Sequence, residues 1–170
     1  HDDQEVATGE AGDICVRASH VMAEYWKRPD ITAETLRSGW LHTGDIARKD
    51  ERGYMFILDR KKDMIVSGGF NIFPREVEDV LSQHADVAMV AVVGVPDDKW
   101  GEAVTAVIVA REGARPNADE LINLVKAKKG SAHAPKHIKF VTELPMTGVG
   151  KVDKKVLKAG FWTGRDRMVG

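Results

Sequence analysis

The sequence predicts an α+β chain in which a small sheet covered by helices follows a strand-rich segment. Residues 87–93 and 104–109 are nearly continuous apolar runs of strand length, as buried central strands are. Val77, Val80 and Leu81, and again Leu121, Leu124 and Val125, recur at helical spacing. A charged run at residues 59–63 separates this pattern from shorter strands and turns upstream. The expected units are therefore residues 1–59 and 60–170.

The elements follow in order. Residues 13–17, 40–43 and 54–58 read as strands, with a turn at Glu51-Arg52-Gly53. A short helix follows Pro29-Asp30, with Asp30 expected as N-cap. This first unit shows no closed core of its own. Residues 64–66 form a short strand that Ser67-Gly68-Gly69 breaks. Pro74 opens a helix, since its fixed φ suits a first turn and its missing N–H is not needed there. A loop holding Pro96, Asp97, Asp98 and Trp100 joins the two apolar strands. Asn117 and Glu120 form a capping box for the next helix, which Gly130 ends. A strand at 138–141, a Gly-rich loop and a helix at 152–159 complete a split βαβ order, with the helices expected on one face. Residues 161–170 receive no role.

Length and composition narrow the function classes. A chain of 170 residues, 43% hydrophobic and 30% charged, can bury one ordinary core. No apolar stretch approaches the roughly 20 residues of a membrane span. The opening His1-Asp2-Asp3-Gln4-Glu5 has neither a starting Met nor a signal-peptide pattern, so the chain is expected to be a piece of a longer one. A single cysteine, Cys15, excludes an internal disulfide and a cysteine-based zinc cluster, which fits a reducing, cytoplasmic location. Between Ile14 and Val16 it reads as a structural thiol, and no metal-ligand cluster is evident.

The formal net charge of −1 is unevenly spread. Residues 126–170 hold eleven Lys/Arg against three Asp/Glu, a balance of +8, and the rest of the chain carries −9. A basic end on an acidic body suits a polyanionic partner or simply a solvated face. Nucleic acid is not expected, because no aromatic residue lies among Lys126, Lys128 and Lys129.

Three segments carry chemistry. In Trp40-Leu41-His42-Thr43-Gly44-Asp45, Asp45 follows a glycine at an expected strand end. A carboxylate there can accept two hydrogen bonds from a vicinal diol; taken alone it also reads as a turn aspartate. In Asp59-Arg60-Lys61-Lys62-Asp63-Met64-Ile65-Val66-Ser67-Gly68-Gly69-Phe70-Asn71-Ile72-Phe73-Pro74-Arg75-Glu76-Val77-Glu78, the charged run is a natural hinge. Gly68 and Gly69 allow close approach of a thin ligand to the main chain, or simply a tight turn. In Leu144-Pro145-Met146-Thr147-Gly148-Val149-Gly150-Lys151, one lysine on a Gly-rich loop can meet a phosphate or carboxylate oxygen. It is not a Walker loop: the Gly-to-Lys spacing is too short and no Ser/Thr follows.

Together and in this order, these segments resemble the adenylate-forming superfamily: acyl- and aryl-CoA synthetases, carrier-dependent adenylation domains and firefly luciferase. The resemblance runs from about Gly9 to the end, including Gly9-Glu10, Tyr25-Trp26 and Thr35. It implies a mobile carboxy-terminal domain at residues 60–170 and, at 1–59, the end of a large amino-terminal domain. Asp45 and Arg60 would hold the ribose of ATP, and Lys62 falls on the hinge position. Gly68 and Gly69 would line the pantetheine channel of CoA, Trp100 and Lys136 would touch its nucleotide, and Lys151 would be the adenylation lysine. Magnesium would arrive on the triphosphate. Ala134 stands where one CoA-binding relative has an arginine. Val66 replaces a lysine that luciferase uses for oxidation, against light-producing chemistry.

The implied activity is that of an acid–thiol ligase, most like a fatty-acyl-CoA synthetase. The alternatives are a domain loading a pantetheinyl carrier protein and a non-catalytic interaction domain of the same fold. The piece alone is expected to be inactive, missing its large domain, and either to leave much of residues 1–59 poorly ordered or to self-associate through residues 9–59.

Overall fold

In the computed structural model, which describes residues 4–162, the chain divides between Lys62 and Asp63. The first unit is built on one long strand. Its elements are β1 (Ala11–Val16), α1 (Pro29–Thr35), β2 (Leu36–Arg37), β3 (Trp40–Lys49) and β4 (Met55–Arg60). β1 pairs antiparallel along one edge of β3, while β2 and β4 share the other. β3 runs well past the expected 40–43 because a bulge masks its alternation. Gly44 has φ +73°, and the register passes from Cys15↔His42 to Asp13↔Ile46, so extra residues loop out of β3 there.

Two local expectations change. Arg28, not Asp30, is the N-cap of α1, and it makes no side-chain cap. Pro29 takes the first helical position, which moves Asp30 inside the first turn, where its carboxylate meets the Arg28 guanidinium at 2.8 Å. Cys15 is exposed rather than packed in an apolar run. In this unit only Ile46 and Ala47 are buried among the described residues, whereas Tyr54, Met55, Phe56 and Ile57 are each more than half exposed.

The second unit has the core. Its elements are β5 (Ile65–Ser67), β6 (Phe70–Ile72), α2 (Pro74–Leu81), β7 (Val87–Asp97), β8 (Gly101–Ala110), α3 (Ala118–Lys129), β9 (His137–Phe140) and α4 (Lys154–Ala159). The strand order is β6-β5-β8-β7, with β9 parallel to β8. β7 pairs along one edge of β8. The other edge is shared, by β5 at Gly101 and by β9 from Thr105 to Ile108. β6 is the element the sequence pattern did not reveal.

On one face, Val77, Val80 and Leu81 of α2 and Leu121 and Val125 of α3 pack on Val92, Val104, Ala106 and Ile108. Each fully buried Ile, Leu or Val is worth about 1.5–3 kcal/mol, so this face is where the unit gains its stability. The helices do not all lie on it. Leu157 of α4 packs with Ala91 and Val107 on the opposite face, together with Leu144, and Phe161 joins it beside Val93 and Val95. The Trp162 indole N–H donates to the Gly94 carbonyl at 3.0 Å. Residues 161–162 of the tail are thus packed, and residues 163–170 lie outside the described residues. Among the described residues, no helix is long and apolar enough to cross a membrane.

Candidate functional site

In the first unit the bulge at Gly44 determines where Asp45 stands. The Asp45 N–H donates to Thr43 Oγ1 at 3.1 Å, which fixes the backbone just after the glycine. Asp45 lies inside β3 rather than at a strand end, directly opposite Arg60 of β4. Arg60 Nε is 2.7 Å from Asp45 Oδ1, and the Arg60 side chain remains 57% exposed. A carboxylate and a guanidinium are therefore held side by side, with lone pairs and donors left over for a polar ligand. Lys62 sits in a single 3₁₀ turn, Lys61–Asp63, at the division of the chain.

The same unit gathers three residues that the sequence did not connect. Cys15 Sγ lies 3.3 Å from His42 Nδ1, which is 3.5 Å from Asp13 Oδ2; the three ligand atoms lie within 4.8 Å of one another. They occupy two paired strands, so no short spacing announces them. The surroundings oppose a cation. The Arg37 guanidinium lies 3.2 Å from both ring nitrogens of His42, through Nε on Nε2 and Nη2 on Nδ1, and Lys61 Nζ approaches Asp13 at 3.5 Å. A thiol and an imidazole are also poor ligands for magnesium, which prefers oxygen.

In the second unit Gly68 and Gly69 are the two central residues of the β5–β6 hairpin, whose last pair is Ser67↔Phe70. Their φ values are +57° and +83°, as a type I′ turn demands at both positions. The Trp100 ring lies against this turn. A Cβ at Gly68 would come within 2.7 Å of its ring, whereas nothing lies within 4 Å of one at Gly69. The Gly68 N–H donates to the Trp100 carbonyl at 2.9 Å.

Trp100 is positioned by Asp97, whose Oδ1 accepts from the backbone N–H groups of Lys99 and Trp100 at 2.9 Å each. Those two donors, Trp100 first, hold the Asp97 carboxyl below the ordinary carboxylate value. The ammonium groups of Lys99 and Lys136 stand 4.8 and 5.1 Å from the centre of the Trp100 ring. Gly68, Trp100 and Lys136 thus form one surface with an aromatic plate and two cations. Ala134 is 5% exposed, which closes it to a nucleotide.

Lys151 ends a tight hairpin. Thr147 N–H donates to the Lys151 carbonyl at 2.7 Å and Gly150 N–H to the Thr147 carbonyl at 2.9 Å. Lys151 N–H returns a bond to Thr147 Oγ1 at 3.2 Å. Gly150 takes φ +76°, and Met146↔Val152 closes the bridge. Lys151 is exposed. α4 follows at once, its N-terminus capped by Asp153. It is tied down by Lys154 on Glu78 at 2.7 Å and Lys158 on Asp63 at 3.4 Å. Glu78 also accepts from the Val92 N–H at 2.7 Å, which satisfies a donor on the edge of β7 that β8 leaves open. Sequence reading placed Glu78 at the end of the second motif but gave it no role, because a charge on a helix reads simply as a solvated face.

Comparison with known proteins agrees with this architecture. Residues 76–151 match the model of the AMP-binding enzyme C-terminal domain. The chain is 53% identical, over 97% of its length, to a medium/long-chain-fatty-acid–CoA ligase, FadD8, of Mycobacterium tuberculosis. It is 48% identical, over 92% of its length, to a long-chain-fatty-acid–CoA ligase of Salmonella typhimurium. It spans 30% and 28% of those relatives. The crystal structure of ATP-bound MatB from Rhodopseudomonas palustris superposes with a TM-score of 0.86 at 36% identity, covering 93% of this chain and 32% of MatB. The chain belongs to the adenylate-forming superfamily, of which it carries the carboxy-terminal part.

Proposed function

We propose that the chain is the carboxy-terminal part of an ATP-dependent acyl-CoA synthetase that acts on a fatty acid. The observation that carries this reading is the 53% identity, over 97% of the chain, to a relative named for that reaction. In the first half-reaction the substrate carboxylate attacks the α-phosphorus of ATP and pyrophosphate leaves. In the second, the CoA thiolate attacks the acyl carbon and AMP leaves.

The residues divide between these steps. Asp45 accepts the ribose hydroxyls, and Arg60, held on it at 2.7 Å, keeps that carboxylate aimed. Lys151, at the closing pair of its hairpin, orients the attacking carboxylate and offsets charge growing on the phosphate oxygens. Gly68 and Gly69 line the path of pantetheine, open at Gly69. Trp100 and Lys136 meet the nucleotide end of CoA. Lys62 is the hinge about which the domain turns between the two steps. Magnesium arrives on the triphosphate, because the Asp13, Cys15 and His42 group does not fit it and no step runs through that group.

The test is made on the full-length parent. Fatty acids are expected to support ATP–pyrophosphate exchange and then transfer to free CoA. Transfer to a pantetheinyl carrier protein in preference to CoA would replace this reading with a carrier-loading domain. Absence of exchange with any carboxylic acid would leave a non-catalytic member of the fold.

A further inference from the structure

Glu102 is the second residue of a strand whose other side chains up to Ala110 are apolar except for Thr105. Its side chain is only 2% exposed. A carboxylate removed from water this completely is costly unless donors meet it. One donor is the backbone N–H of Val66, 2.7 Å from Glu102 Oε2. Gly94, on the neighbouring strand, leaves room for the group: a Cβ there would stand 3.0 Å from the carboxylate.

The location of this bond gives it meaning. β5 pairs with β8 only at Ser67↔Gly101, and from Lys136 onward the same edge of β8 is taken by the approach to β9, whose Lys136 N–H donates to the Val104 carbonyl. Val66 therefore sits where β8 changes partners, and a side chain supplies the acceptor for its N–H. Two residues later comes the Gly68-Gly69 turn, whose Gly68 N–H is held by the Trp100 carbonyl and where a Cβ on Gly68 would meet the Trp100 ring at 2.7 Å. The segment Trp100–Glu102 thus holds both the approach to the turn and the turn itself.

We propose that Glu102 is a positioning residue for thioester formation, fixing through Val66 the Gly68-Gly69 turn past which pantetheine runs. The proposal rests on the synthetase reading above. Glu102 touches no reacting atom. Its effect is confined to the half-reaction that uses the turn, and a misplacement of about 1 Å there can cost on the order of 10²-fold.

Two readouts separate the proposal from its foundation. In the full-length parent, Glu102→Ala is expected to slow CoA-dependent consumption of supplied acyl-adenylate by about 10–100-fold and to raise the KM for CoA. Pyrophosphate exchange is expected to stay within about twofold. Glu102→Gln keeps an oxygen acceptor and is expected to return to within about fivefold of wild type, a neutral bond replacing a charge-assisted one. In the 170-residue chain, hydrogen exchange is expected to show the amides of Val66 to Phe70 losing protection in Glu102→Ala while Val92 and Ile108 keep theirs.

An unchanged thioester rate with Val66 released would overturn the proposal. So would equal loss of both half-reactions, or loss of protection throughout β7 and β8 in both variants, since either makes Glu102 a folding residue. A wild-type parent that forms adenylate but no CoA thioester overturns the underlying reading, and the exchange pattern still reports the Val66 contact by itself.

Discussion

Lys151 stands at the closing pair of a hairpin, bonded to Thr147 through that residue's N–H and its Oγ1. A lysine on such a turn presents a charge at a defined place without a partner on its own strand. On the proposed reading, Lys151→Ala in the full-length parent is expected to slow adenylate formation by about 10²–10³-fold, the effect of losing one preorganised charge contact. Thioester formation from supplied acyl-adenylate is expected to survive. Equal losses in the two assays would point to a folding defect instead. At this scale the sequence is informative where chemistry is concentrated in a short run. Lys151 and the glycine pair can be read from their own neighbours. Glu102 and Glu78 cannot, because the amides they satisfy, Val66 and Val92, lie 36 and 14 residues away. The grouping of Cys15 with His42 is hidden for the same reason, since it exists only once β1 pairs with β3.

Elements with the right period and a plain cap could be read directly. Pro74 begins α2 and turns Val77, Val80 and Leu81 inward, all buried. The cap of α3 is as expected on one side only. Asn117 Oδ1 accepts from the N–H groups of Asp119 and Glu120 at 2.8 and 3.2 Å, but the Glu120 carboxylate is turned to His84 at 3.4 Å. Asn117→Ala is expected to cost about 1 kcal/mol, seen as a lower urea midpoint at unchanged slope. An unchanged midpoint would mean that tertiary packing alone holds the helix start. β6 went unread because three residues after a Gly-Gly turn look like loop, and β3 was cut short because the Gly44 bulge breaks its alternation. The 3₁₀ turn Lys61–Asp63 carries the hinge proposal. Proline at Lys62 fixes its φ near −65° and restricts Lys61 too. Lys62→Pro in the parent is expected to impair thioester formation far more than adenylation. Wild-type rates in single-turnover thioester formation would remove Lys62 from the hinge role.

At the scale of the whole chain, the contrast is between a unit with a core and one without. Among the described residues, the second unit buries clusters of side chains on both faces of its sheet. The first unit buries only Ile46 and Ala47 among its described residues and exposes Tyr54, Met55, Phe56 and Ile57 in succession along and just before β4. Strict alternation would hide every second one of these on a one-sided sheet, so the strand has apolar surface on both faces. β4 is also an edge, paired only with β3, and an apolar edge invites pairing with another chain. On the proposed reading, the cover in a longer parent is the rest of a large domain; the chain spans 30% of the FadD8 relative. Adenylation further needs the acyl carboxylate and ATP held within contact distance of Lys151, and that positioning can supply several kcal/mol of the barrier. The 170-residue chain by itself is accordingly expected to form no acyl-adenylate, and either to leave much of residues 1–59 poorly ordered or to self-associate through them, while residues 60–170 fold independently. Sedimentation joined to hydrogen exchange tests both halves of this. A monomer at micromolar concentration with its 54–57 amides fully protected would refute the association, and measurable pyrophosphate exchange by the isolated chain would overturn its inactivity.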